Sequence, residues 1–129
     1  MIRLFAVVAA LAMADSPEMV NFLRSMAADL AEAHDDHNAR QFMDHFDSAM
    51  PGFAELRDEV EELAGRGEIG SVIEIATESG DDDRRVLELD WVLEIQDQAP
   101  RRKVVKCTVE KRGKNWKITS LEPIDFFKY

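Results

Sequence analysis

The stretch that decides the fold is Arg84-Arg-Val-Leu-Glu-Leu-Asp-Trp-Val-Leu-Glu-Ile-Gln96, in which large apolar residues occupy every second position over most of its length. Successive side chains of a strand point to opposite faces, so this alternation predicts a long strand with one buried face. That face would carry Leu87, Leu89, Trp91, Leu93 and Ile95. The other face would be mainly acidic, with Glu88, Asp90 and Glu94. Because the buried face is so large, the strand needs an apolar cover from elsewhere in the chain.

Three further strands are predicted around this one. Residues 103–111 and 115–121 flank the turn sequence Lys111-Arg-Gly-Lys114, whose glycine can supply the positive φ of a hairpin. Residues 69–77 alternate in the same way and predict the first strand, followed by a loop over residues 78–83. The second half of the chain is therefore predicted to be a meander of about four antiparallel strands.

Three helices are predicted ahead of the strands. The first begins at Ser16, a good N-cap residue followed by proline, and runs to about Ala33. The second begins at Asn38 and ends near Met50, and the third covers residues 53–63. Their inward faces are apolar and carry Met19, Phe22, Leu23, Met26, Leu30, Ala33, Phe42, Met43, Phe46, Phe53, Leu56, Val60 and Leu63. The fold class is α+β, with the helices covering one face of the sheet.

Composition limits the classes of partner. The chain has 129 residues, which is enough for one domain and one core. With 26 acidic and 16 basic residues its formal net charge is −10, and this field repels nucleic acid and anionic membrane surfaces. Cys107 is the only cysteine, so an intramolecular disulfide is excluded.

The N-terminus indicates export. Arg3 precedes an apolar run over residues 4–12, and Ala12-Met-Ala14 fits the small-x-small pattern of a signal-peptide cleavage site. We therefore predict a signal peptide over residues 1–14, a mature domain over residues 15–129 and a periplasmic or extracellular location. The run is too short to span a bilayer, and the alternative is the first turn of an amphipathic helix.

Chemically active residues are few. His34, His37 and His45 lie near Asp35 and Asp36, but the spacing matches no known ligand pattern, so no metal and no cofactor is predicted. Helix ends attract histidine and aspartate for capping alone. The predicted inward face of the sheet carries no carboxylate, and a general acid–base pair is not visible.

The order of three helices and a meander resembles the NTF2-like superfamily. The resemblance rests on Leu89-Asp-Trp91 in a central strand and on the closing segment Asn115-Trp-Lys-Ile-Thr-Ser-Leu-Glu-Pro123. This superfamily also contains the ketosteroid isomerases and the SnoaL-like polyketide cyclases. The resemblance implies a cone-shaped fold, with a pocket between the first helices and the concave sheet, and frequent dimerisation through the sheet. One fold hosts many functions, so the resemblance supplies no reaction.

The site residues follow from that implied pocket. An apolar ligand in the cone would contact Phe22, Met26, Phe42, Phe46, Trp91 and Cys107. The candidates for a catalytic base are His34 and Asp125, at the edges of the cone. The enzymes of this superfamily use inward carboxylates or histidines with an oxyanion-binding tyrosine or acid, whereas Tyr129 is the only tyrosine here.

The sequence therefore predicts an exported, non-catalytic domain that binds a small apolar ligand or a protein partner. The alternatives are a SnoaL-like isomerase, cyclase or lyase acting in the cone, and a purely structural dimer. A homodimer through the outer sheet face is predicted because that face mixes both signs of charge. The charged residues are Glu88, Asp90, Glu94, Lys106 and Lys117.

Export has a direct test. The protein isolated from its native host should have the intact mass of a chain that begins at Asp15. A full-length chain recovered from the cytoplasm would contradict the predicted signal peptide.

Overall fold

The computed structural model describes residues 16–129, so the predicted signal peptide lies outside the described residues. Three helices precede four strands, as predicted. The elements are α1 (Pro17–Ala31), α2 (Asp36–Asp44), α3 (Phe53–Ala64), β1 (Ile69–Gly80), β2 (Arg84–Ile95), β3 (Arg101–Arg112), β4 (Asn115–Glu122) and a closing 3-10 helix (Ile124–Phe127). Within these residues, no helix combines the length and the apolar composition needed to cross a membrane.

The strands form one antiparallel sheet in the order β1-β2-β3-β4, each paired with its neighbour in the chain. This curved, unclosed meander confirms the predicted α+β class. Gly113 turns the last hairpin with a φ of 66°, as the sequence predicts. Two bulges interrupt the register, one between Ile75 and Thr77 and one between Thr108 and Val109.

The core lies between the helices and one face of the sheet. The predicted inner face of β2 is confirmed, because all five of its residues are buried: Leu87, Leu89, Trp91, Leu93 and Ile95. The helices cover them with Met19, Leu23, Met26, Leu30, Phe42, Leu56, Val60 and Leu63. The tail contributes Phe126 and Phe127, which are also buried. All these residues belong to one hydrophobic cluster, as expected for a domain of this size.

The second helix differs from its prediction at both ends. Its N-cap is Asp35, not Asn38, because the Asp35 carboxylate accepts a hydrogen bond from the His37 amide at 2.8 Å. It ends at Asp44, well before Met50. The chain leaves the helix there because the Ile118 amide donates to the His45 carbonyl and draws the segment onto β4.

The first strand is longer than predicted. Residues 78–80 belong to β1 and not to a loop, and the hairpin turn is confined to Asp81–Asp83. The bulge at Ala76 shifts the two-residue period by one, so the alternation in the sequence breaks there although the strand continues.

A buried glutamate of this strand, Glu78, is paired with β2 and hydrogen-bonded to the start of α1. Glu78 is 3% exposed and accepts from Arg85 on β2 at 2.6 Å. The Ser16 hydroxyl, which caps α1 by accepting from the Met19 amide, also donates to Glu78 at 3.2 Å. The first helix is thereby fixed to the β1–β2 hairpin at its N-terminal end.

Trp91→Ala tests the assignment of strand faces. We expect it to lower the free energy of unfolding by about 3–5 kcal/mol, since it would leave a large cavity in the core. Urea unfolding measures this value. The matched control is Glu94→Ala, an exposed position on the same strand, which should stay within about 0.5 kcal/mol of wild type. Equal stability of the two variants would contradict the assignment.

Candidate functional site

The six residues predicted to bind an apolar ligand do not share one environment. Five of them are brought together in the core, where each is at most 3% exposed: Met26, Phe42, Phe46, Trp91 and Cys107. Phe22 lies at its edge, with its ring 5.3 Å from the ring of His45. A side chain without accessible surface has no space beside it for a water-sized molecule. The interior around Met26, Phe42 and Trp91, all at 0%, is therefore filled.

The tail packs between the sheet and the second helix, against Trp91 and Phe42. The Phe127 ring lies 5.1 Å from Trp91 and 6.3 Å from Phe42, and the Phe126 ring lies 5.9 Å from Trp91. These are edge-to-face or tilted contacts, the favourable geometries for aromatic pairs. Arg101 holds the tail by donating to the Phe126 carbonyl at 2.8 Å. The position of the tail against Trp91 depends on tertiary structure.

Cys107 is an inert thiol. Burial raises its pKa to about 12, so the thiolate needed for nucleophilic attack does not form near neutral pH. Its role is to pack on the inner face of β3.

The two candidate bases occupy different places. His34 lies at the surface after α1, with its side chain 61% exposed and its ring 3.9 Å from Glu32. Asp125 lines a cleft of about 840 Å³ between α3 and the tail. His45, on another side, forms a half-buried pair with Asp29 at 2.9 Å. Among residues 16–129, no three His, Cys, Asp or Glu side chains converge as metal ligands.

The cleft beside Asp125 holds a perturbed carboxyl group. Burial, followed by repulsion from Glu55 and Asp125, raises the pKa of Glu59 to about 7, while Lys128 and Arg101 oppose this shift. The Glu59 Oε1 atom is buried and has no hydrogen-bond partner among the described residues. Glu59 was not among the candidate site residues, because nothing in the local sequence shows that the tail packs against it.

The outer face of the sheet is uncovered in the described part of the chain. Val72 and Val104 are exposed there by 58% and 56% of their surface. Val72 pairs directly with Val92, and Val104 is the diagonal neighbour of Val92 on the next strand. These three residues, the valine row, cross three strands at the middle of the face.

Charged side chains lie around the valine row, and only some of them pair with the residue opposite in the register. Asp90 pairs with Arg102 at 2.7 Å, and this hydrogen bond lowers the pKa of Asp90. Glu88 accepts from the Thr77 hydroxyl at 2.9 Å, although Lys106 is its register partner. Lys117 donates to the Asp44 carbonyl at the far edge. Acids thus predominate on β2 and bases on β3.

Comparisons with known proteins give the fold and no activity. No protein-family model and no curated protein matches the sequence. The beta subunit of the benzoate 1,2-dioxygenase from Burkholderia mallei superposes with a TM-score of 0.61 at 15% identity, over 90% of this chain and 98% of that one. An NTF-2 like protein of unknown function from Shewanella oneidensis gives 0.57 at 16% identity, over 79% and 95%.

The fold is NTF2-like. Bd1075 from Bdellovibrio bacteriovorus also shares it, with a TM-score of 0.65 and 15% identity over 82% of this chain. This chain spans only 38% of the length of Bd1075, so the likeness concerns one part of that protein. At such identities the similarity carries the architecture alone.

The pH dependence of stability tests the Glu59 cleft. The folded-state pKa of Glu59, about 7, lies above its ordinary value of 4.5, so the native state holds this proton more strongly than the unfolded chain. The resulting stabilisation is complete below pH 4.5 and is lost as the pH rises through 7. We expect a loss of about 1–2 kcal/mol, after allowing for solvent screening of a partly exposed group.

Urea unfolding at pH 5 and pH 8 measures this loss, which should disappear in Glu59→Gln. The matched control Glu61→Gln removes the same charge at an exposed position outside the cleft, and it should keep the wild-type loss. Carbon-detected NMR gives the pKa of Glu59 directly. A measured value near 4.5 would contradict the role of the cleft.

Proposed function

We propose that this chain is an exported, non-catalytic NTF2-like domain that binds a protein through the outer face of its sheet, and that the protein is a second copy of the chain. The observation that carries the proposal is the exposed valine row on an uncovered sheet face. Binding of a small apolar ligand is less well supported, because the tail phenylalanines and Trp91 occupy the interior such a ligand would need.

The size of the face fits this role. Three strands of twelve residues extend about 40 Å each, the fourth, of eight residues, extends about 27 Å, and neighbouring strands lie about 4.8 Å apart. The face therefore has an area of about 700 Å², close to the roughly 800 Å² per partner of a standard specific interface. Exposed valines near its centre would be desolvated on binding.

The charges favour a second copy. Glu88 on β2 and Lys106 on β3 are register partners at the same level of the sheet. A two-fold axis parallel to the strands, between β2 and β3, would place each Glu88 over the Lys106 of the other copy. Such a self-complementary arrangement is what an isologous interface requires. Without these pairs, two copies of net charge −10 would repel each other.

Export is proposed as well, on the basic Arg3, the apolar run over residues 4–12 and the Ala12-Met-Ala14 pattern. It is compatible with the fold, since cleavage after Ala14 would leave Ser16 in place to cap α1.

An enzyme of SnoaL type is the second candidate, and one observation favours it. Asp125 shares an open cleft with Glu59, whose pKa of about 7 suits a group that gives and takes protons near neutral pH. The cleft lies between α3 and the tail, not in the cone. An ordinary pKa for Glu59 would remove the support for this candidate.

Light scattering across a range of concentrations tests the dimer. Wild type should show a dimer mass that dissociates on dilution. Val104→Asp should raise the dissociation constant by about 100-fold or more, because it places a carboxylate at the centre of the interface. Lys114→Asp, in the hairpin turn, is the control and should change it less than threefold. A monomer mass up to millimolar concentration would contradict the proposal.

The same measurement tests the symmetry. Glu88→Lys and Lys106→Glu should each weaken the dimer by about tenfold, since each creates facing like charges, and the double swap should restore it. If the double swap fails to restore the dimer, this axis is excluded. The Val104→Asp result then still decides whether the outer face is the interface.

A further inference from the structure

The outer edge of β1 is a second feature of the sheet, separate from its outer face. Among residues 16–129, β2 is the only strand that pairs with β1. The opposite edge of β1 therefore presents backbone N–H and C=O groups that no described strand satisfies. Such an edge pairs readily with an added strand.

A groove runs along this edge, between α1 and β1. It has a volume of about 520 Å³, and we call it the α1–β1 groove. Its α1 wall includes Val20, Arg24 and Ala27, and its floor is β1 from Ser71 to Ile75. The groove lies directly beside the unpaired backbone, so a peptide bonded to the edge would also contact the groove.

The inner positions of β1 are incompletely covered. Ile73 and Ile75 are register partners of Trp91 and Leu89, which are fully buried, yet both isoleucines keep part of their surface exposed to the groove. Alternate side chains of an added strand would lie beside Ile73 and Ile75 and would reach Val20 and Ala27 on α1. These positions call for apolar residues.

Charge specifies the other positions of such a strand. Glu74 lies on the opposite face of β1, at the exposed edge, and pairs in register with Asp90. A residue beside Glu74 would therefore meet an acid on a chain of net charge −10, which favours lysine or arginine there. Arg24 lines the inner side and disfavours a base at the inward positions.

A second copy fits this edge poorly. Two β1 edges placed together would bring the Glu74 carboxylates of two acidic chains close to each other, and like charges on adjacent strands are destabilising. A basic strand from a different protein meets no such repulsion.

We infer that the free edge of β1 and the α1–β1 groove bind an extended peptide of a partner protein, with apolar residues facing α1 and basic residues facing outward. The peptide adds a fifth strand to the sheet, and its backbone hydrogen bonds supply much of the affinity. This site shares Val72 with the proposed dimer face, but its other contacts lie at the edge of β1 and on α1, so Ala27→Glu and Val104→Asp test the two sites separately.

The probe is a labelled peptide of about seven residues with alternating valine and lysine. Its binding is followed by fluorescence anisotropy, and its position by amide hydrogen exchange of residues 71–75, where alternate amides should become protected. Two analogues are N-methylated on alternate residues, one in each phase. In an added strand one set of N–H groups faces the protein and the other faces solvent, so one analogue should lose binding and the other should keep it.

Ala27→Glu tests the groove. It places a large charged side chain in the α1 wall and should weaken peptide binding by about tenfold or more. The control is Ala28→Glu, one residue along α1 at an exposed position, which should change binding less than threefold. An alternating valine and glutamate peptide should bind at least tenfold more weakly than the lysine peptide.

Three results would overturn the inference. Equal binding of both methylated analogues would exclude strand addition. Protection of residues 71–75 that grows with protein concentration, without peptide, would make a second copy the occupant. Protection present in the chain of residues 1–129 but lost in a chain beginning at Asp15 would assign the edge to the N-terminal segment.

Discussion

The packing of Trp91 against the tail phenylalanines is the contact on which the structure depends. Trp91 is at the centre of β2, its indole N–H donates to the Ser71 hydroxyl on β1 at 3.0 Å, and its ring faces Phe126 and Phe127. It thus joins the middle of the sheet, the edge strand and the end of the described chain. A buried aromatic ring with a satisfied polar atom stabilises a core strongly and fixes its geometry. The interior is filled because of this arrangement, so the surfaces accessible to a partner are on the outside of the molecule.

The fold could be predicted because its signal is periodic. Apolar residues alternate with polar ones in β2 and recur every three or four residues in α1. Each pattern identifies one face of its element, and the structure buries those faces as predicted. The errors occur where a local pattern meets a distant contact. Ala76 forms a bulge that conceals the end of β1, and the backbone of Ile118 ends α2 early. The sequence beside Ala76 shows a break in alternation that looks like the end of the strand, and the sequence around residue 44 does not show the contact with Ile118.

The functional surfaces could be predicted only in part. Acids on the outer face of β2 were evident from the sequence, but Arg102 as the partner of Asp90 depends on the register between strands. The pKa of Glu59 also depends on tertiary structure, since Asp125 of the distant tail is one of the groups that raise it. The α1–β1 groove requires both the edge position of β1 and the placement of α1. Spacing along the sequence contains none of this information, because each of these sites is formed by elements that meet only in the folded state.

The place of Phe126 and Phe127 in the core also has a consequence for biosynthesis. A chain emerging from the ribosome can pair β1 with β2 and β2 with β3 early, since those contacts are sequential. It cannot cover Trp91 and Phe42 until residues 126 and 127 have left the exit tunnel, so the nascent domain exposes an aromatic surface until synthesis of this region is complete. Chains with such a surface are the substrates that chaperones hold. The last turn of the described chain therefore sets the moment at which the core of the domain can close.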